Sequence, residues 1–196
     1  MDSIGVRLNK NLIGNLMVLI ANRCAPLYHT KLIKMLYLID EEAVKDSGIP
    51  ITWLDYKVWQ YGPVDPATFF IQQNFGSYVD AKKVYNSYGE PATLVTSKKD
   101  FDKSEFSQYE LELINRVIDK YGGKKPTELV EITHAKGGLW DLTKKENDLD
   151  FSIANISDVS IDLSRLVKGD PEKYENFKEA EEQMQFLSVM NAQTDK

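Results

Sequence analysis

The sequence predicts a mainly α, α+β protein: one compact multi-helix domain with a small antiparallel β element inserted after the first helical hairpin. Three observations carry this. Apolar residues recur at helical spacing through most of the chain, capping signatures punctuate them, and β-branched and aromatic residues gather in one short stretch after the second helix. With 196 residues, 42% hydrophobic and 28% charged, the chain fits one domain spanning 1–196 with a sizeable core.

Leu8, Leu12, Leu16 and Leu19 recur at helical spacing, widened by Ile13 and Ile20, so an amphipathic helix is expected over about 6–22. Pro26 breaks it. Thr30 is the expected N-cap of a second helix, with Leu32, Leu36, Ile39 and Ala43 on one face and Ile33 and Tyr37 beside them, ended by Gly48 and Pro50. Two apolar stripes so close in sequence pack most simply as a helical hairpin.

Tyr56 to Tyr61 is the expected strand, and Gly62-Pro63 breaks it. Asp65-Pro66 has the form of an N-cap followed by proline at the first helical position, predicting a helix to about Asn74. Two further strands are expected near 82–85 and 92–96, joined by Gly89-Glu90-Pro91. Ser107 with Glu110 forms a capping box for a helix carrying Leu111, Ile114, Ile118 and Tyr121. Pro126 opens another helix, with Leu129 and Ile132 inward, ending near Gly137-Gly138, and a loop follows to about Asp158. Asp170-Pro171 starts a last helix over 170–190 bearing Tyr174, Phe177, Met184 and Leu187, and 191–196 is expected to be a disordered tail.

The formal net charge of −6 opposes broad adhesion to nucleic acid or anionic membranes. Met1 to Gly5 lacks the basic start of a leader, and Leu12 to Ala21 is far short of a membrane span, so a cytoplasmic protein without membrane association is expected. The single cysteine, Cys24, gives no disulfide framework and is expected as a small buried residue.

No catalytic constellation emerges, and neither metal nor cofactor is expected. His29 and His134 are the two histidines, without a partner at ligand spacing, and a structural role is expected for both. A Gly-x-Ser-x-Gly elbow is absent, and Gly122-Gly123 and Gly137-Gly138 lack the rest of a phosphate loop. Asp40, Glu41 and Glu42 form a carboxylate cluster expected on a solvated helix face, with Glu41 in ion-pair register with Lys45. The lysine pairs are scattered, and the connection Asn22 to His29 is too long for a helix-turn-helix, so direct nucleic-acid binding is not expected.

The Tyr61-Gly62-Pro63-Val64 turn stands out. Trp53, Tyr56, Trp59, Tyr61 and Tyr85 are expected to concentrate aromatic mass around it, and Gly62 before Pro63 allows a sharp change of direction. It can serve as a structural corner or as a surface offered to a partner. The candidate protein-binding residues are Trp59, Tyr61, Gly62, Pro63 and Val64.

Lys31-Leu32-Ile33-Lys34-Met35-Leu36-Tyr37, the Gly48-Ile49-Pro50-Ile51 turn and Val58-Trp59-Gln60-Tyr61-Gly62-Pro63-Val64 occur in that order, and Glu131-Ile132-Thr133-His134 with Trp140 follows. Over about 30–140 this resembles the Panacea domain family of SocA-like antitoxins, which includes phage-associated GepA-type proteins. The resemblance implies a compact, mainly helical, non-enzymatic module that neutralises a cognate toxin protein by direct contact. It implies structural roles for Lys31, Leu32, Leu36, Tyr37, His134 and Trp140; the alternative is an adaptor for an ATP-dependent protease of the ClpXP type, or a phage/host interaction protein, without a toxin partner. The segment 76–105 and the acidic last helix match nothing in the family pattern. Self-association is left open.

Overall fold

The computed structural model describes residues 8–194. The expected lack of a leader at 1–5, the start of the first helix at residue 6 and the last two residues of the expected tail lie outside them. The fold is mainly α with antiparallel β structure, as the sequence predicts. Among the described residues there are eight α-helices and five strands, the strands divided between two sheets.

Helix α1 spans Lys10–Arg23, and Asn9 caps it by accepting from Leu12 N at 3.2 Å. It is not the half-exposed helix that its leucine stripe predicts, because every residue from Ile13 to Ala21 is buried. Neighbours come close to the helix at Gly14-Asn15. The ring of Tyr78 lies over Gly14 where a Cβ would stand 2.4–2.6 Å from its carbons, and Asn15 Oδ1 accepts from Asp102 N at 3.1 Å.

Strand β1, Leu27–Tyr28, leads directly into α2, His29–Ser47. Thr30 is therefore not the N-cap. The pairing of β1 with the later strand β5 (Pro91–Ser97) holds Tyr28 extended, and the helix starts at His29 with no side chain capping it. Gly48, at φ +87, closes its C-terminus. Residues Lys31 to Asp40 of α2 are buried without interruption, so α2 is the central helix, surrounded by α1 and by α5 and α6 defined below.

The expected strand at 56–61 is a hairpin, with β2 at Lys57–Trp59 and β3 at Gly62–Val64. Gly62-Pro63 thus belongs to a strand rather than ending one. Val58 faces Pro63, and Val58 N donates instead to Val159 O at 2.9 Å, so the missing N–H of proline costs the ladder nothing. Asp65 caps α3, Pro66–Phe69, as expected, accepting from Thr68 N at 2.8 Å. The helix expected to reach Asn74 is broken at Phe70, whose ψ of 58 leaves the helical region, and α4 resumes over Ile71–Phe75.

Strands β4, Val79–Tyr85, and β5 form a regular antiparallel hairpin, giving sheet order β1-β5-β4. Its buried Val79 and Val95 rest on the helical core. Helix α5, Gln108–Tyr121, carries the expected Ser107/Glu110 capping box. Helix α6, Pro126–Thr133, stops earlier than expected, and α7, Leu139–Glu146, occupies what is predicted as loop. Gly137 at φ +81 turns the chain between them, and burial of Leu139 and Trp140 holds α7 in place.

The following segment returns along β2: Ile161 N donates to Tyr56 O at 2.7 Å and Gln60 N to Asn155 O at 2.8 Å. Helix α8, Pro171–Thr194, begins at the expected Asp170 cap and extends into the segment expected as a tail. Phe177 is buried and its ring lies 5.4 Å from that of Trp53, whereas Leu187 is 53% exposed rather than inward.

Candidate functional site: an aromatic cleft beside the hairpin

Buried charge organises this region. Helix α2 has no solvent face over Lys31 to Asp40, yet carries Lys31, Lys34 and Asp40, each 6% exposed or less. A buried charge needs partners, and each finds them on a different neighbour. Lys31 Nζ donates to the carbonyl of Gly122 at the end of α5. Lys34 Nζ donates to the carbonyl of Pro63 in β3 at 3.0 Å. Asp40 accepts from Ile51 N at 2.9 Å and Thr52 N at 2.8 Å, and from the hydroxyls of Thr52 and Tyr56. Asp40 is therefore not part of a solvated acidic face. It fastens the chain after α2 to the helix, leaving Glu41 to pair with Lys45 at 2.5 Å as expected.

The Lys34–Pro63 bond sets the hairpin against α2, and a cleft of about 750 Å³ opens beside it. His29, Ile33 and Lys34 of α2 line it together with Trp59, Tyr61 and Val64 of the hairpin. Phe69 of α3, Val130 of α6 and Ile156 of the returning segment complete its walls. Phe69 is the aromatic hub, its ring 5.0 Å from Trp59, 5.2 Å from His29 and 5.3 Å from Phe70. Tyr61, 63% exposed, and Ile156, 58% exposed, stand at the mouth.

Of the five residues proposed from the sequence, Trp59, Tyr61 and Val64 line the cleft, while Gly62 and Pro63 are buried beneath it. The expected gathering of aromatics is only partial. Tyr56 is in the core edge-on to Tyr37 at 5.1 Å, Trp53 packs on α8, and Tyr85 lies at the far end of β4. Leu32 and Leu36 are core residues. Among the described residues, none of α8 lines the cleft.

The second motif block supports the first. His134 stacks on Trp140 with ring centroids 3.8 Å apart, and Trp140 Nε1 donates to Trp59 O at 2.9 Å. Burial, and then the charges of Lys34 and Lys144, push the His134 imidazole down to about 4, so the ring is neutral near pH 7.

The electrostatics of the cleft floor are unusual. Burial alone pushes the Lys34 ammonium down to about 7, and among the described residues no carboxylate stands within salt-bridge distance of it. Burial also lowers His29, against the main-chain carbonyls of Phe69 and Thr68, and its Nε2 is buried without a hydrogen-bond partner. Asp65, below the hairpin, is raised to about 6 by burial while it caps α3. Sequence reasoning missed Lys34, Phe69, Val130 and Ile156. A signal for Lys34 existed: apolar residues at 32, 33, 35, 36, 38 and 39 leave a lysine at 34 no solvent face to occupy.

Among the described residues, no group of three His, Cys, Asp or Glu side chains could hold a metal ion, and no helix is long and apolar enough to cross a membrane. No solved structure matches the chain significantly. Antitoxin SocA of Caulobacter vibrioides (strain NA1000 / CB15N) is 26% identical over 119 residues, an alignment that covers 60% of this chain and 60% of that protein. The family model for the antitoxin SocA-like Panacea domain matches residues 32–141, a span that starts in α2, takes in the hairpin and α6, and ends just after Trp140. The chain belongs to the SocA-like antitoxin family with a Panacea domain.

Proposed function

We propose that this protein is an antitoxin that neutralises a cognate toxin by direct contact, with the cleft between α2, the β2–β3 hairpin and α6 as its contact surface. The observation that carries this reading is the placement of Trp59, Tyr61 and Phe69. Aromatic side chains from two elements line one open cleft, and partly exposed aromatics around a concave surface are the usual anchors of a protein interface. Both motif blocks of the family meet behind it through the Trp140–Trp59 hydrogen bond. The module acts by binding, in the cytoplasm, with no reaction at the cleft.

The test is co-expression with the product of the adjacent gene. The neighbour alone should arrest growth, and this chain should restore growth and co-purify with it. A Tyr61→Ala/Phe69→Ala variant that remains folded should fail on both counts. A neighbour harmless by itself, or full protection by that variant, overturns the reading.

A further inference from the structure

The cleft is not a plain apolar groove. Lys34 lines it, is 1% exposed, and among the described residues has a single acceptor, the carbonyl of Pro63 at 3.0 Å, for an ammonium with three N–H donors. Two carboxylates flanking the hairpin are committed elsewhere: Asp65 to Thr68 N at 2.8 Å and Asp55 to Lys57 at 2.7 Å. His29 Nε2, five residues earlier on the same helix, is a buried polar atom without a hydrogen-bond partner. The N-terminus of α2, whose dipole favours negative charge, carries no side-chain cap, and His29 and Thr30 from its first turn line the same cleft.

We infer that Lys34 is the receptor for an aspartate or glutamate side chain carried within an apolar segment of the partner protein, whose flanking residues pack on Tyr61, Phe69 and Ile156. This rests on the reading of the cleft as the contact surface and adds the chemistry of what enters it. A carboxylate matches the site in charge and donor count. A phosphate would bring more charge than one ammonium balances. Exposed apolar side chains from three elements surround the mouth, so a segment continuing on both sides of its acidic residue is held better than a chain end. The dry walls strengthen the ion pair once water is excluded.

Binding also couples to protons. Of the groups around the ammonium, His29 on α2 and His134 at the end of α6 are held below their ordinary values, Asp65 below the hairpin is raised to about 6, Glu131 of α6 is a carboxylate, and the hairpin contributes the phenol of Tyr61. Burial lowers the Lys34 ammonium to about 7, so a carboxylate that restores its charge takes up a proton at and above neutral pH.

The experiment uses the full chain and random peptides displayed without a free C-terminus. Selected binders should converge on Glu or Asp between aliphatic or aromatic residues. On the wild-type chain, a Glu→Gln change in the peptide should weaken binding about tenfold or more at pH 7. On Lys34→Met the two peptides should bind alike. Affinity of the acidic peptide should fall about tenfold from pH 6.5 to 8.5 on the wild-type chain and stay flat on Lys34→Met. The inference is overturned by failure to select binders, by binders without an acidic residue, by equal Glu→Gln losses on both chains, by enrichment confined to a library with free C-termini, or by inorganic pyrophosphate displacing the peptides. The Glu→Gln comparison on the wild-type chain needs no variant to fold. Neutral peptides bound in the cleft, together with intact growth protection, would leave the proposed function standing and remove this inference alone.

Discussion

The phenol of Tyr56 donates to Asp40 Oδ2 at 2.8 Å, joining the residue just before β2 to the middle of the central helix. Both side chains are almost fully buried, at 1% and 0% exposure. Burial pushes the Asp40 carboxyl up, and its four donors from Thr52, Tyr56 and Ile51 draw it back down. Asp40→Ala leaves those donors buried without an acceptor and should cost about 3 kcal/mol or more. Tyr56→Phe removes one donor and keeps the rest, and should cost about 1.5–3 kcal/mol. Urea unfolding of the two variants checks the order.

Lys34 should make stability depend on pH. Folding lowers its ammonium from 10.5 to about 7, so between those values the unfolded chain binds a proton that the folded chain does not. Stability from this group therefore rises with pH across that window and levels off above it. Cys24 and the buried tyrosines Tyr37 and Tyr56 are raised from 9.0 and 10.0 and act in the opposite sense at higher pH, so pH 7 to 9 isolates the lysine. Urea midpoints of the wild-type chain should rise across that range relative to Lys34→Met. Parallel curves for the two proteins would show that Lys34 keeps its ordinary affinity for the proton.

Gly62 admits no side chain. Its φ of +99 is a conformation L residues rarely adopt, and a Cβ there would stand 2.9 Å from both Lys34 Nζ and Thr133 Oγ1. Gly62→Ala should destabilise by about 1–3 kcal/mol through backbone strain and displacement of the ammonium. Exposed Gly89, with φ +77 and open space around its Cβ position, is the comparison: alanine there meets strain without the clash and should cost less. Thermal melts of the two variants decide between the two contributions.

What could be read from the sequence follows from how local each interaction is. The caps at Asp65, Ser107/Glu110 and Asp170 depend on residues within one helical turn and stand where they are predicted. The start of α2 does not, because the pairing of Tyr28 with Leu94, far along the chain, decides it. Strand β3 depends on Lys57 to Trp59 opposite it, and α7 on Trp140 reaching Trp59 O. Asp40 was hidden for a different reason. Its neighbours Glu41 and Glu42 are at the surface, and only the packing of α2 on all sides separates it from them. The Tyr61 turn was legible as a candidate site because its residue types are unusual. Its cleft was not, since Phe69, Val130 and Ile156 come from elements whose approach is tertiary.

Exposed aromatics at the cleft mouth and at the β4–β5 turn separate a contact surface from incidental exposure. Tyr61 is 63% exposed at the cleft mouth, while Tyr85 and Tyr88 are 78% and 73% exposed around the β4–β5 turn. All three are tolerable losses to the fold, so alanine at each should change stability by no more than about 0.5 kcal/mol. The cleft reading separates their effects on the partner. Tyr61→Ala should weaken binding of the cognate toxin by about 2 kcal/mol, roughly thirtyfold in Kd, and reduce growth protection, because it removes an anchor bordering a concave site. Tyr85→Ala and Tyr88→Ala should bind and protect as the unaltered chain does. Calorimetric titration of purified toxin against the three variants measures the difference directly. A loss at the β4–β5 turn with none at Tyr61 would move the contact surface to the three-stranded sheet, in the segment 76–105 that the family match also spans.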